Sequence, residues 1–261
     1  MGYRQIKVEV VDAIVRITLH RPEKRNALST RMVNELCHAL ESARDDTASR
    51  VVLLTGAGPI FCAGGDLEEM LGAAREPVED DGIPPRSFVE LNLAFARIGK
   101  PTVAAVAGPA LAGGLGLVAA CDLVLAADSA QFGTPEINVG IWPMMIMANL
   151  FRCVGRRAGL RLVLTGDRIS AEEALRIGLV SEVVPAASLE ERALALCTSL
   201  ARKSPTAMRL GLTAFHETEE LPLEPALRQL ERQLAAVLAS EDAREGIRAF
   251  LEKRPPIFSG S

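Results

Sequence analysis

Glu136 is the single charged residue between Asp128 and Arg152, in the stretch FGTPEINVGIWPMMIMANLF. A carboxyl group among apolar neighbours has its proton affinity raised toward neutrality, so it can both take and return a proton. On that fragment alone, a solvent-facing turn at Pro135-Glu136 reads equally well. Upstream, two glycine loops follow two apolar runs: Ala63-Gly64-Gly65-Asp66 after RVVLLT, and Ala112-Gly113-Gly114-Leu115 after PTVAAVA. Each loop sets backbone N–H groups at or near the start of a helix, where they lack partners and the dipole favours negative charge. Two such groups converging on one carbonyl oxygen would make an oxyanion hole, which stabilises an enolate or a tetrahedral intermediate. Taken singly, each loop reads as a tight turn.

The stretch GPALAGGLGLVAACD holds the second loop. Its glycines let the backbone approach a ligand oxygen, and the apolar helix behind them holds that backbone rigid. Residues 102–121 carry no charge and are long enough to cross a bilayer. Glycine and proline interrupt that run and Asp122 closes it, so no membrane segment is expected.

Other chemistries lack their residues. No GxxxxGK[ST] or GxSxG occurs, and GLG at a helix start is too weak a sign of a dinucleotide fold. His20, His38 and His216 show no partner pattern, and no carboxylate/histidine cluster has metal-ligand spacing. Cys37, Cys62, Cys121, Cys153 and Cys197 lie apart in apolar contexts and read as reduced thiols. A net charge of -4 gives no basic field for nucleic acid. The opening MGYRQIKVEVVD has no apolar core of a signal peptide, and Ile6 stands where a myristoylation motif needs Ser or Thr. The expected compartment is the cytoplasm.

The elements that must position these groups follow from periodicity. Alternating runs at 5–11 and 13–19 predict a hairpin, and Ser29 caps a helix with Met32, Val33, Leu36, Leu40 and Ala43 on one face. Residues 50–55, 101–107 and 123–127 read as buried strands, 115–121 as a buried helix, and Asp66 with Glu69 as a capping-box-like helix start. The Pro-, Gly- and acid-rich segment 72–87 reads as a mobile loop. Helical spacing fills 144–154, 157–164 and 171–177; a strand is expected at 179–184, then helices from 188 to 251. Strand, glycine loop and helix in succession predict an α/β fold with ligand contacts on the loops. Trp142, Met144, Met145 and Met147 read either as the lining of an apolar ligand pocket or as core.

Together these stretches resemble the crotonase family, the enoyl-CoA hydratase/isomerase superfamily. The matching segments are RPEKRNALS (21–29), FCAGGDLEEM (61–70), PTVAAVAGPALAGGLGL (101–117), CDLVLAADSAQFGTPEINVG (121–140), LTGDRISAEEALRIGLVSEVV (164–184) and EGIRAFLEKRPPIF (245–258). The resemblance implies a spiral of ββα units over 1–200 and a C-terminal helical region, 201–261, that builds homotrimers or hexamers. It implies no prosthetic group, and coenzyme A as part of an acyl-CoA or enoyl-CoA substrate. In that pattern the amides of Gly65 and Gly113 hold the thioester oxygen, and Glu136 transfers the proton. Lys24, Arg25 and Ala27 map to the CoA-contacting segment, with Ala63 and Asp66 near the adenine and the hole loop; Phe250 and Lys253 would reach a neighbouring subunit's CoA. The family's hydratases carry a second glutamate where this chain has Gly116. The expected activity is hydration of a 2-enoyl-CoA with a single glutamate. The alternatives are double-bond isomerisation with Glu136 as shuttle, and a CoA-thioester binding protein without turnover.

Overall fold

The structure, a computed structural model, describes residues 2–72 and 82–261. Strands β1 (Ile6–Val11) and β2 (Ile14–Leu19) form an antiparallel hairpin turning at Asp12, and α1 (Thr30–Asp45) follows. Ser29 caps α1 by accepting the amide of Met32 at 3.1 Å, and the helix buries Met32, Val33, Leu36, Leu40 and Ala43 as its spacing predicts. Then come β3 (Val51–Gly56), the short α2 (Leu67–Met70), α3 (Phe88–Arg97), β4 (Thr102–Val106), β5 (Ala110–Leu111), α4 (Gly113–Ala120), β6 (Leu123–Ala127) and β7 (Gln131–Gly133). The chain continues through α5 (Ile146–Cys153), α6 (Arg156–Thr165), β8 (Arg168–Ser170), α7 (Ala171–Arg176), β9 (Glu182–Val184), α8 (Leu189–Ala201), α9 (Pro205–Thr218), α10 (Leu223–Leu238) and α11 (Glu241–Leu251).

The main sheet has the order β1-β2-β3-β4-β6-β9 and is parallel from β2 onward. Both its faces are covered, which explains why β3, β4 and β6 read as unbroken apolar runs. Val52, Leu54, Ala104 and Val106 face the cluster built with α1, α3 and α4. Val51, Leu53, Val103, Ala105 and Leu125 face Leu189, Ala193 and Cys197 of α8. Asp122 ties the starts of β4 and β6 together, accepting from the Thr102 amide and hydroxyl, both at 2.7 Å.

The structure departs from expectation in three places. The strand foreseen at 179–184 keeps only Glu182–Val184, because the amides of Leu179 and Val180 fold back onto the Ala174 carbonyl and close α7. Helix α3 was not foreseen, although its start is a complete capping box of Ser87 and Glu90. Asp66 caps α2, but Glu69 does not close the box; its carboxylate reaches the Thr30 amide at the start of α1. The loop expected over 72–87 lies outside the described residues for 73–81. Among the described residues, no helix is long and apolar enough to cross a membrane.

Candidate active site

A second, small sheet assembles the site. Its order is β5-β7-β8, with β5 and β7 parallel through Ala110↔Phe132 and Leu111↔Gly133. Parallel bridges extend it outward, Cys62 to Ala110 and Gly65 to Leu28. The segment 62–65, β5 and β7 therefore run in one direction. Gly65 ends the first, Gly113 follows the second and Glu136 follows the third. Ligands of parallel sheets bind at these carboxyl ends, where loops and helix N-termini leave polar backbone groups open.

The two glycine loops touch. A Cβ placed on Gly64 would stand 2.5 Å from the Ala112 methyl and 3.3 Å from the Gly113 nitrogen. A Cβ on Gly113 would stand 3.6 Å from the Gly65 nitrogen. Gly113 is the first residue of α4, and among the described residues neither its amide nor that of Gly65 donates to another backbone group. Ala112 precedes it at φ +50°, ψ -125°, a conformation that costs a non-glycine residue about 1–3 kcal/mol and persists only where the surroundings enforce it. Two contacts do so here: its amide donates to the Gly133 carbonyl at 2.9 Å, and its methyl packs on Gly64.

Glu136 sits in the 3-10 turn Pro135–Val139, which Gly140 closes in the left-handed conformation. Burial pushes its carboxyl above the ordinary carboxylate value, and the bond to its own amide opposes this only in part. Its Oε2 is buried with no protein partner. The carboxyl group is thus half-buried and weakly solvated, and one of its oxygens is uncommitted. Such a group holds its proton to higher pH than an exposed glutamate and can exchange it with a reacting atom.

The segment that carries Lys24, Arg25 and Ala27 lies beside the first glycine loop. The Ala63 amide donates to the Arg25 carbonyl, Leu28 to Gly64 and Asp66 to Leu28, at 2.7–3.0 Å. Lys24 Nζ pairs with Glu68 at 2.7 Å on the surface, and Arg25 is exposed at φ +54°. Asp66 pairs with Arg21 at 2.6 Å, with the two side chains 8% and 12% exposed. Burial raises the Asp66 carboxyl, but the Arg21 guanidinium and the Glu69 and Glu68 amides outweigh it and hold the group low. Asp66 is therefore a fixed anion that caps α2, facing Arg21 rather than open solvent. Phe250, 82% exposed, and Lys253 lie on and just past α11, and no hydrogen bond or ion pair joins them to the glycine loops.

Gly116 is buried one turn beyond Gly113 on α4. A Cβ there would stand 3.2 Å from Ile146 Cγ1 and 3.4 Å from Phe88 Cζ. Side-chain atoms from α3 and α5 therefore stand against the point where a side chain would begin. Trp142 donates to Met147 Sδ at 3.2 Å, while Met144 and Met145 are 65% and 48% exposed, so the methionine run is not plain core. Among the described residues no group of His, Cys, Asp and Glu could hold a metal ion.

Sequence reasoning missed the residues that join these pieces. Asn26 is fully buried; its amide nitrogen donates to the carbonyls of Ala57, Ile60 and Phe61, and its oxygen accepts from the Arg21 amide. The positive φ of Asn26 and the pairing of Arg21 with Asp66 have no periodic trace. Ser87 and Glu90, by contrast, carried a readable capping signal for the helix that brings Phe88 to Gly116.

The family model for enoyl-CoA hydratase/isomerase matches residues 9–261. The chain is 40% identical to the 2,3-dehydroadipyl-CoA hydratase of Escherichia coli over 249 residues, 95% of each chain. It is 38% identical to the enoyl-CoA hydratase EchA19 of Mycobacterium tuberculosis over 247 residues, 93% of this chain and 91% of that one. The crystal structure of an enoyl-CoA hydratase from Mycobacterium smegmatis superposes with a TM-score of 0.89 at 32% identity, covering 98% of this chain and 99% of that one. An enoyl-CoA hydratase from Bacillus anthracis gives 0.89 at 34% identity, over 99% and 100% of the two chains.

Proposed function

The chain belongs to the enoyl-CoA hydratase/isomerase, or crotonase, family, and from that premise we propose that it adds water to a 2-enoyl-CoA thioester through an enolate. The observation that carries the reading is the placement of Glu136 and the two free glycine amides at the ends of neighbouring parallel segments. The thioester oxygen accepts from the Gly65 and Gly113 amides, which drain charge from the double bond and stabilise the enolate. Glu136 as carboxylate takes a proton from water while the water oxygen bonds to Cβ. The resulting carboxylic acid then gives that proton to Cα, the enolate reverts to the thioester, and Glu136 is ionised again. One carboxyl group serves both transfers in turn, and the raised proton affinity of Glu136 suits it to both.

Lys24, Arg25 and Ala27 would contact CoA, with the two basic side chains at its phosphates, and Ala63 and Asp66 would lie near the adenine and the hole loop. The Lys24–Glu68 pair does not stand in the way, because an exposed ion pair is worth only about 0–1 kcal/mol and a phosphate can replace the carboxylate. Residues 201–261 would build a trimer or a pair of trimers. Helix α10 supports this, since Leu223, Leu227, Leu230, Leu234 and Leu238 lie exposed at helical spacing on a helix that buries no residue within its own chain. Phe250 and Lys253 would then face a neighbour's CoA. The cytoplasm is the compartment we assign.

Gly116 favours a second reading, migration of the double bond with Glu136 carrying a proton between Cα and Cγ. Gly116 offers no side chain to hold a water, and Phe88 and Ile146 stand against it. Incubation of crotonyl-CoA with the protein, followed for 3-hydroxybutyryl-CoA, separates the two: product supports hydration, and γ-proton exchange without it supports the shuttle.

A further inference from the structure

Gly133 touches both halves of the site. Its carbonyl accepts the Ala112 amide at 2.9 Å, which holds Ala112 in its strained conformation and so sets where the Gly113 amide lies. Three residues later in the chain is Glu136. On its other side Gly133 pairs with Arg168 of β8, and a Cβ on Gly133 would stand 2.8 Å from the Asp167 carbonyl oxygen and 3.4 Å from Arg168 Cα. Both atoms are backbone, so a methyl group there cannot be accommodated by turning a side chain. The strand next to Glu136 would have to move.

The turn that leads from α6 into β8 approaches the far side of Glu136. Gly166 ends α6 at φ +66°, and a Cβ on it would stand 2.7 Å from Asn138 Nδ2 and 2.9 Å from Ile137 Cγ2. Ile137 and Asn138 are the two residues after Glu136 in its 3-10 turn. The segment 166–168 thus lies against Gly133, three residues before the carboxylate, and against the side chains of Ile137 and Asn138 just after it.

We propose that Gly133 is a positioning residue that fixes the spacing between the Gly113 amide and the Glu136 carboxylate, with Gly166 as its second brace. The proposal rests on the reading of Glu136 as the proton-transfer group. A displacement of about 1 Å at a reacting group is enough to cost about 100-fold in rate. The methyl of Gly133→Ala would push β7 from β8 by an amount of that order, while the CoA-contacting segment 24–27 lies on the opposite side of the small sheet and keeps its place. The loss therefore falls on kcat and spares KM.

The test is steady-state kinetics with crotonyl-CoA on the wild-type protein and on Gly133→Ala, Gly166→Ala, Glu136→Gln and Gly211→Ala, with thermal unfolding of each. Gly211 meets no atom within 4 Å of a built Cβ and serves as the control for a glycine replacement without contact. The expected result is a 10- to 100-fold fall in kcat with KM within threefold for Gly133→Ala, a similar split for Gly166→Ala, and no change for Gly211→Ala. If Gly133→Ala does not fold, Gly166→Ala carries the test. A folded brace variant whose kcat stays within threefold of wild type, or whose loss lies in KM, overturns the proposal while a dead Glu136→Gln leaves the underlying reading intact. Turnover insensitive to Glu136→Gln overturns both.

Discussion

The point at which a Gly113 side chain would begin lies 3.6 Å from the amide nitrogen of Gly65 and 3.0 Å from Leu28 Cδ1. A methyl there would touch the second donor and press on Leu28, whose backbone pairs with the loop that carries that donor. Gly113→Ala is expected to lower kcat by about 100- to 1,000-fold, the loss seen when one oxyanion donor is removed, with little change in the unfolding temperature. Steady-state kinetics alongside calorimetry checks it.

Glu136 makes a prediction about pH. The base form must be present to take a proton from water, so the rate falls as pH drops through its folded-state value, which burial places above the ordinary carboxylate value. The acid limb of kcat/KM should therefore sit higher than an exposed glutamate would give.

The same burial affects stability. Between the unfolded and folded proton affinities of Glu136 the native state binds the extra proton, so its charge opposes folding above that window and not below it. Glu136→Gln should raise the unfolding temperature at neutral pH. The gain should vanish below about pH 4, where an unfolded glutamate is itself protonated. Thermal melts across pH read it directly.

Phe88 and Ile146 bear on Gly116 from two helices. Gly116→Glu is expected to destabilise the protein by about 1–3 kcal/mol through overpacking and not to increase hydration. Adding Phe88→Ala should recover part of the lost stability, measured by urea unfolding of the single and double variants.

Much of this was legible in the chain and some was not, for identifiable reasons. Glu136 stood out because a lone charge in an apolar stretch is visible in one dimension, and the glycine loops because they interrupt runs of strand and helix. Asn26, Gly133 and Gly166 were invisible because their roles are contacts made across the fold: Asn26 with carbonyls more than 30 residues away, Gly133 with both Ala112 and Asp167. Nothing in the types of Lys24 and Glu68 announces that they meet. Leu179 and Val180 are β-compatible by type and lost their strand to the carbonyl of Ala174.

Asn26 gives the stability counterpart. Removing its amide takes a partner from the buried Phe61 carbonyl, from the part-buried carbonyls of Ala57 and Ile60 and from the Arg21 amide, so Asn26→Ala should cost about 2–3 kcal/mol. Urea unfolding measures it, and the loss of the hydrogen bonds that tie residues 21–28 to 57–61 should appear as weaker acyl-CoA binding in the folded fraction.

In the proposed mechanism one carboxyl group, Glu136, moves the proton for a thioester held by Gly65 and Gly113. Its most direct test is proton NMR of crotonyl-CoA in deuterated buffer with the wild-type protein and Glu136→Gln. The account predicts 3-hydroxybutyryl-CoA carrying deuterium at the α carbon with the wild-type protein, and a rate lower by about 100- to 10,000-fold with the variant. Hydration at an undiminished rate in Glu136→Gln would contradict it.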